Sequence, residues 1–151
     1  MLWIRGNVFI PDARVFWIKP SVTFLKKYLK EHQIDTIITT GPPHSIHLIG
    51  LQLKKELNIT WLADFRDPWT TIGYHKSLRL SNYAAKKHKK LERQVLNAAD
   101  TIIVTSNTTK TEFQAITNKP IEVITNGYDM ENVVKQALDT KFSLAHIGSF
   151  L

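Results

Sequence analysis

Two hydrophobic rhythms alternate along this chain. After Pro20-Ser21, the apolar Phe24, Leu25, Tyr28 and Leu29 form one stripe at helical spacing, with Lys26, Lys27 and Lys30 opposite, so a helix is predicted over 20–32. Residues 35–40 are short and β-branched and predict a strand that Gly41-Pro42-Pro43 ends. Apolar positions at 46, 48, 49, 51, 53 and 57 predict a helix over 44–57, followed by a strand over 60–65. Pro68 and Gly73 make 66–80 mostly loop. A long helix is expected over 82–99, then a strand over 101–105 and a helix from Ser106 or Asn107 to 117. A strand over 121–125 and an Asn126-Gly127 turn follow, then a helix over 130–138 and a last strand over 141–147 that Gly148 ends. Residues 1–19 carry Trp3, Phe9, Phe16 and Trp17 without a period and predict irregular chain.

Strands alternating with helices specify a parallel sheet with crossover helices. The near-continuous apolar strands predict a sheet covered on both faces. In such sheets ligands bind outside the carboxyl ends of the strands. That rule selects residues 41–45, 64–69, 106–109 and 126–129 as one binding edge.

Composition narrows the chemistry. The 151 residues are 43% hydrophobic and 22% charged, as in an ordinary folded domain. There is no cysteine, which removes disulfides, thiolate metal sites and a cysteine nucleophile. Arg5, Asp12 and Arg14 interrupt the early apolar residues, unlike a secretion signal, and a cytoplasmic location is expected. The net charge of +7 points to an anionic partner. Its densest run is Lys86, Lys87, Lys89, Lys90 and Arg93 on the 82–99 helix. That run is either a solvated face or a contact for anionic lipid headgroups. No interleaved aromatics or binding motif accompany it, so nucleic acid is not expected as a partner.

Each selected segment has a chemical and a structural reading. Gly41 permits a tight exit from a strand into a helix whose N-terminus presents free N–H groups. His44 can carry a proton or hydrogen-bond a ligand there, or His44 or Ser45 can simply cap the helix. His44 and His47 lack a carboxylate at helical spacing, and no metal site is expected. In Asp64-Phe65-Arg66-Asp67-Pro68-Trp69, an aspartate can accept a proton from a hydroxyl and Arg66 can bind a phosphate. Trp69 can offer a platform to a sugar ring or lipid chain. The alternative is an ion pair that locks the loop, with Trp69 packing it down. There is no glycine-rich phosphate loop and no nucleophile elbow.

Several segments together resemble a known family. They are Arg5-Gly6-Asn7, Pro11-Asp12-Ala13-Arg14, the run from Thr39 through Gly41-Pro42-Pro43-His44-Ser45 to Leu48, Ala63 to Trp69, Ala99-Asp100, and Thr125-Asn126-Gly127-Tyr128-Asp129. The chain resembles the bacterial family-four glycosyltransferases, which are retaining and have the GT-B fold. The resemblance implies a Rossmann-like parallel sheet of about four strands with flanking helices, an incomplete half of a GT-B architecture. It implies residues 1–140 as part of the amino-terminal, acceptor-side domain and 141–151 as the first strand of a donor-binding domain. No counterpart of the family's first strand and glycine-rich loop is found in the sequence, nor of its donor-side Glu motif.

The implied function is transfer of a sugar from a nucleotide-sugar donor to a surface-glycan or lipid-linked acceptor, with retention and without a cofactor or metal. The donor would be held mainly by the other domain, so this chain alone is expected to be inactive. Asp67 and Arg66, then Asp64, are the implied catalytic candidates. Gly41, His44, Ser45 and Trp69 would line the acceptor side, and Asn126, Gly127 and Gly148 the interdomain cleft. Lys86, Lys87, Lys89, Lys90 and Arg93 would hold the protein peripherally at the inner membrane. The strand over 35–40 would expose an apolar edge open to self-association. The alternative is a non-catalytic, flavodoxin-like module binding an anionic ligand.

Overall fold

The computed structural model describes residues 2–127 and 140–144. Four parallel strands lie in sequential order: β1 (Thr36–Gly41), β2 (Thr60–Phe65), β3 (Thr101–Val104) and β4 (Ile121–Val123). The expected α/β class with a four-stranded parallel sheet and flanking helices is the one found, in keeping with a Rossmann-like half of a GT-B enzyme. Helices α1 (Leu2–Asn7) and α2 (Ile18–Glu31) precede the sheet. The crossovers are α3 (Ser45–Glu56), α4 (Asn82–Ala98) and α5 (Asn107–Gln114). Ser81 and Ser106 cap α4 and α5 through Ala84 N–H and Thr109 N–H, each at 3.2 Å.

The sheet advances by one strand at every crossover. Right-handed connections therefore put α3, α4 and α5 on one face. Register confirms the sidedness. Ile37 pairs with Trp61, Thr39 with Ala63 and Gly41 with Phe65, and Ile102 and Val104 continue that row; Trp61, Ala63, Phe65, Ile102 and Val104 are fully buried. The other face carries Ile38, Asp64, Ile103 and Ile124; Ile38 is 62% and Ile124 59% exposed. The expectation of a sheet covered on both faces is corrected for the described residues. β-Branched runs specify an extended backbone, while cover depends on where the crossovers lie.

The amino-terminal 19 residues are more ordered than their composition predicts. Leu2–Asn7 is helical, and Gly6 lets it dock, since a Cβ there would lie 2.6 Å from Leu80 Cδ2. Asn7 Oδ1 also accepts from Ser81 N–H at 2.7 Å. Helix α2 starts at Ile18 rather than Pro20, because proline is tolerated in a first helical turn. Short 3-10 turns occupy Val15–Trp17 and Gly73–Leu78. The helix expected over 130–138 and Gly148 lie outside the described residues. Residues 141–144 are described and are not in a strand.

Candidate functional site

The carboxyl end of β1 carries the most enclosed chemistry. Gly41 is required there: a Cβ would approach His47 Nε2 to 2.7 Å. His47 is fully buried on α3, with Nδ1 2.9 Å from Thr39 Oγ1. That hydroxyl accepts the Trp61 indole N–H at 2.9 Å, so its own hydrogen is assigned to His47 Nδ1. Burial, and next the neighbouring His44, lowers the His47 pKa to about 3.

His44 stands at the N-cap of α3 but makes no side-chain cap bond. The cap comes from far away in sequence. Asp12 Oδ2 accepts Ser45 N–H at 2.8 Å, and Asp12 Oδ1 accepts Arg14 N–H at 2.9 Å. The expectation that His44 or Ser45 caps this helix is therefore corrected: the Asp12 carboxylate occupies the helix end. His44 is 5% exposed, and neither ring nitrogen has a hydrogen-bond partner. Burial outweighs the attraction of Asp12 and lowers its pKa to about 4, with His75 and His88 adding to the decrease. His44 is thus a neutral imidazole at pH 7, offering one N–H and one lone pair.

Trp69 lies flat against His44, with ring centroids 4.7 Å apart and an interplanar angle of 4°. At 1% exposure it belongs to the core. The expected open platform for a sugar or lipid is corrected: His44 covers one ring face, and Trp69 meets the neighbouring cavity only as a buried wall residue. The Trp69 indole donates to His88 Nδ1 at 3.2 Å, which leaves the His88 proton on Nε2 to donate to the Gly6 carbonyl at 3.2 Å. His88 is 1% exposed, although it sits inside the lysine run. Its sequence signal is the repeat Ala84, His88, Glu92, Val95, the inner stripe of α4. Glu92 accepts Thr70 N–H at 3.0 Å and the Thr70 hydroxyl at 2.6 Å, tying the loop after β2 to α4. Burial raises the Glu92 pKa despite those bonds.

A cavity of about 270 Å3 opens at this end, lined by Arg5, Asp12, Arg14, His44, Trp69 and His75 among others. His75 Nε2 also lacks a partner. Its pKa is lowered by burial and then by His88. Asp12, Arg5, Arg14 and His75 had no local sequence signal as site residues, because α1, the turn at 73–78 and the loop at 10–14 meet only in the fold.

The charged cluster after β2 is organised differently. Arg66 Nη2 donates to Asn126 Oδ1, and its carbonyl accepts the Thr105 hydroxyl at 3.1 Å. Arg66, Asp64, Asn126 and Gly127 line a separate, shallower depression of about 240 Å3 beside Ile38, Ile103 and Ile124. Among the described residues neither Asp64 nor Asp67 forms an ion pair with Arg66, so the alternative of a locking ion pair is corrected. Asp67 is exposed and lines neither cavity. Lys86, Lys87, Lys89, Lys90 and Arg93 are all exposed on the outer side of α4. Among the described residues no three His, Asp or Glu side chains converge as a metal site requires, and no helix is long and apolar enough to cross a membrane.

Both cavities fall inside a match to a protein-family model. Residues 3–132 match the model described as Glycosyltransferase Family 4, whereas no curated protein and no solved structure matches. The sheet, the glycine exit into α3 and the histidine cavity at the strand ends are thus parts of a glycosyltransferase-like domain, and the chain belongs to Glycosyltransferase Family 4.

Proposed function

We propose that this chain is the acceptor-side portion of a retaining glycosyltransferase, and that the cavity beside His44 receives the acceptor sugar. The observation that supports this reading most is His44 itself, a buried neutral imidazole with two unpartnered nitrogens. Buried polar groups almost always find partners, so the pair is best explained as waiting for a ligand. A sugar hydroxyl both donates and accepts, and it matches one N–H and one lone pair. At a pKa of about 4, His44 is too weak a base to take the acceptor proton at pH 7; its role is to orient the hydroxyl.

Asp64 and Arg66, with Asn126 and Gly127, form the part that would face a nucleotide-sugar donor held by a second domain. Arg66 can hold a donor phosphate oxygen through its fork while Asn126 fixes its direction. Asp67 is exposed and free to meet such a domain. Residues 141–151, with Gly148, would belong to that domain's beginning. The isolated chain would then bind acceptor and transfer nothing. The family match disfavours the alternative of a non-catalytic anion-binding module. The cationic face of α4 suits a surface-glycan or lipid-linked acceptor at the inner membrane, each basic side chain adding about 1 kcal/mol near anionic lipid. The bare Ile38–Ile124 face offers itself for self-association.

The test is calorimetric binding of methyl glycosides and of UDP and GDP to the 151-residue chain, with an assay for turnover of UDP- and GDP-sugars. Glycoside binding without nucleotide binding or turnover is expected. Nucleotide-sugar turnover by this chain alone would overturn the acceptor-portion reading.

A further inference from the structure

The cavity beside His44 has an unbalanced charge that a neutral sugar does not explain. Its cationic groups are Arg5 and Arg14, and its one carboxylate is Asp12. Both Asp12 oxygens already accept backbone N–H groups, from Ser45 at 2.8 Å and from Arg14 at 2.9 Å. Among the described residues the ion pairs are Lys26–Glu56, Lys27–Glu31 and Lys54–Asp100, so neither cavity arginine has a carboxylate partner. Deeper in, His44 and His75 contribute three ring nitrogens without hydrogen bonds.

Both arginines are exposed, but each is carried by an anchored segment of backbone. Arg5 lies in the last turn of α1, which Gly6 and Asn7 fasten to residues 78–81. Arg14 has its backbone N–H pinned by Asp12, and its guanidinium lies over Trp17 at 5.0 Å. Two guanidinium side chains lining one cavity with the neutral imidazoles of His44 and His75 make an arrangement for binding an oxyanion, since the guanidinium fork matches phosphate and carboxylate oxygens.

We propose that the His44 cavity is an oxyanion site, and that the acceptor sugar it receives carries a phosphate ester or a carboxylate. This rests on the acceptor-side reading and narrows its substrate to an anionic glycan. In this arrangement Arg5 and Arg14 hold the anionic oxygens while His44 hydrogen-bonds a neighbouring hydroxyl.

The experiment is a titration of the 151-residue chain with inorganic phosphate, glucose 1-phosphate, glucuronate and methyl glucoside, followed by the histidine ring resonances and by calorimetry. At least one anionic sugar is expected to bind about tenfold or more tighter than methyl glucoside. The tighter of glucose 1-phosphate and glucuronate identifies the oxyanion as phosphate ester or carboxylate. Arg5→Gln with Arg14→Gln, both exposed positions, should abolish the preference for the anionic sugar over methyl glucoside. A fourfold Lys→Gln variant at 86, 87, 89 and 90 should keep the preference.

Equal affinities for charged and neutral sugars would overturn the proposal while leaving the acceptor reading intact. So would a preference that survives loss of both arginines, or one that disappears with the lysines. Binding of inorganic phosphate that needs both arginines, with no binding of any sugar, would support the oxyanion site and overturn the acceptor reading.

Discussion

Two polar clusters sit at the carboxyl ends of the same sheet, and they differ in almost every physical respect. At the end of β1, His44, His47, His75 and Trp69 are packed in with Asp12, and burial holds the histidines neutral. At the ends of β2 and β4, Asp64, Arg66 and Asn126 stand at or near solvent around a shallower depression. The first cluster is buried, partly unsatisfied and shaped around a cavity. The second is an open charged rim. Desolvation makes His44 a poor proton acceptor at pH 7, which suits the orienting role proposed for it. The second is open to solvent, where the exposed Arg66 fork can be reached by a partner.

The comparison is broken most severely by removing the ring under the cavity. Trp69→Ala should cost about 3–5 kcal/mol of folding stability and let the His44 pKa rise toward 6.5, as urea unfolding and NMR titration would show. Asp67→Asn, in the same loop, should change stability by less than about 0.5 kcal/mol.

Acid is expected to act next most strongly, and on the first cluster. His44 and His47 titrate near 6.5 when unfolded but at about 4 and about 3 in the fold. Between those limits the unfolded state binds more protons, so their contribution is constant above pH 6.5 and is lost as pH falls. Burial raises Asp100, but hydrogen bonds from Lys54 and Trp61 N–H outweigh it and add in the same direction. Glu92, raised by burial, opposes the trend. The net result is a fall of several kcal/mol between pH 6.5 and 3.5.

A smaller effect is expected at the loop anchor. Glu92→Ala leaves Thr70 N–H unpaired and should cost about 1–3 kcal/mol in urea unfolding. Replacing Lys86, Lys87, Lys89 and Lys90 by Gln should shift stability by less than about 0.5 kcal/mol. The same change should weaken sedimentation with anionic vesicles.

The two clusters also differ in how far the sequence revealed them. Asp64-Phe65-Arg66-Asp67-Pro68-Trp69 announces its charges in six consecutive residues, and Thr60–Phe65 is the strand its pattern predicts. Helix α4 ends within a residue of expectation because its apolar stripe is long. The histidine cavity was legible only in part. His44 follows from its place after a strand, but Asp12 reaches Ser45 across 33 residues. Arg5 depends on a six-residue helix too short to leave a periodic signature. Trp69 looked like a surface platform because tryptophan beside charged residues carries no sign of its own burial. His88 was masked by the lysines around it, which face the other way.

The most direct measurement is amide and histidine-ring NMR of the 151-residue chain titrated with a methyl glycoside that binds it. The account predicts that His44 and His75 ring signals and the Ser45 amide move together, while Asp64, Arg66 and Asp67 stay in place. Movement at Asp64, Arg66 and Asp67 with His44 unchanged would contradict it.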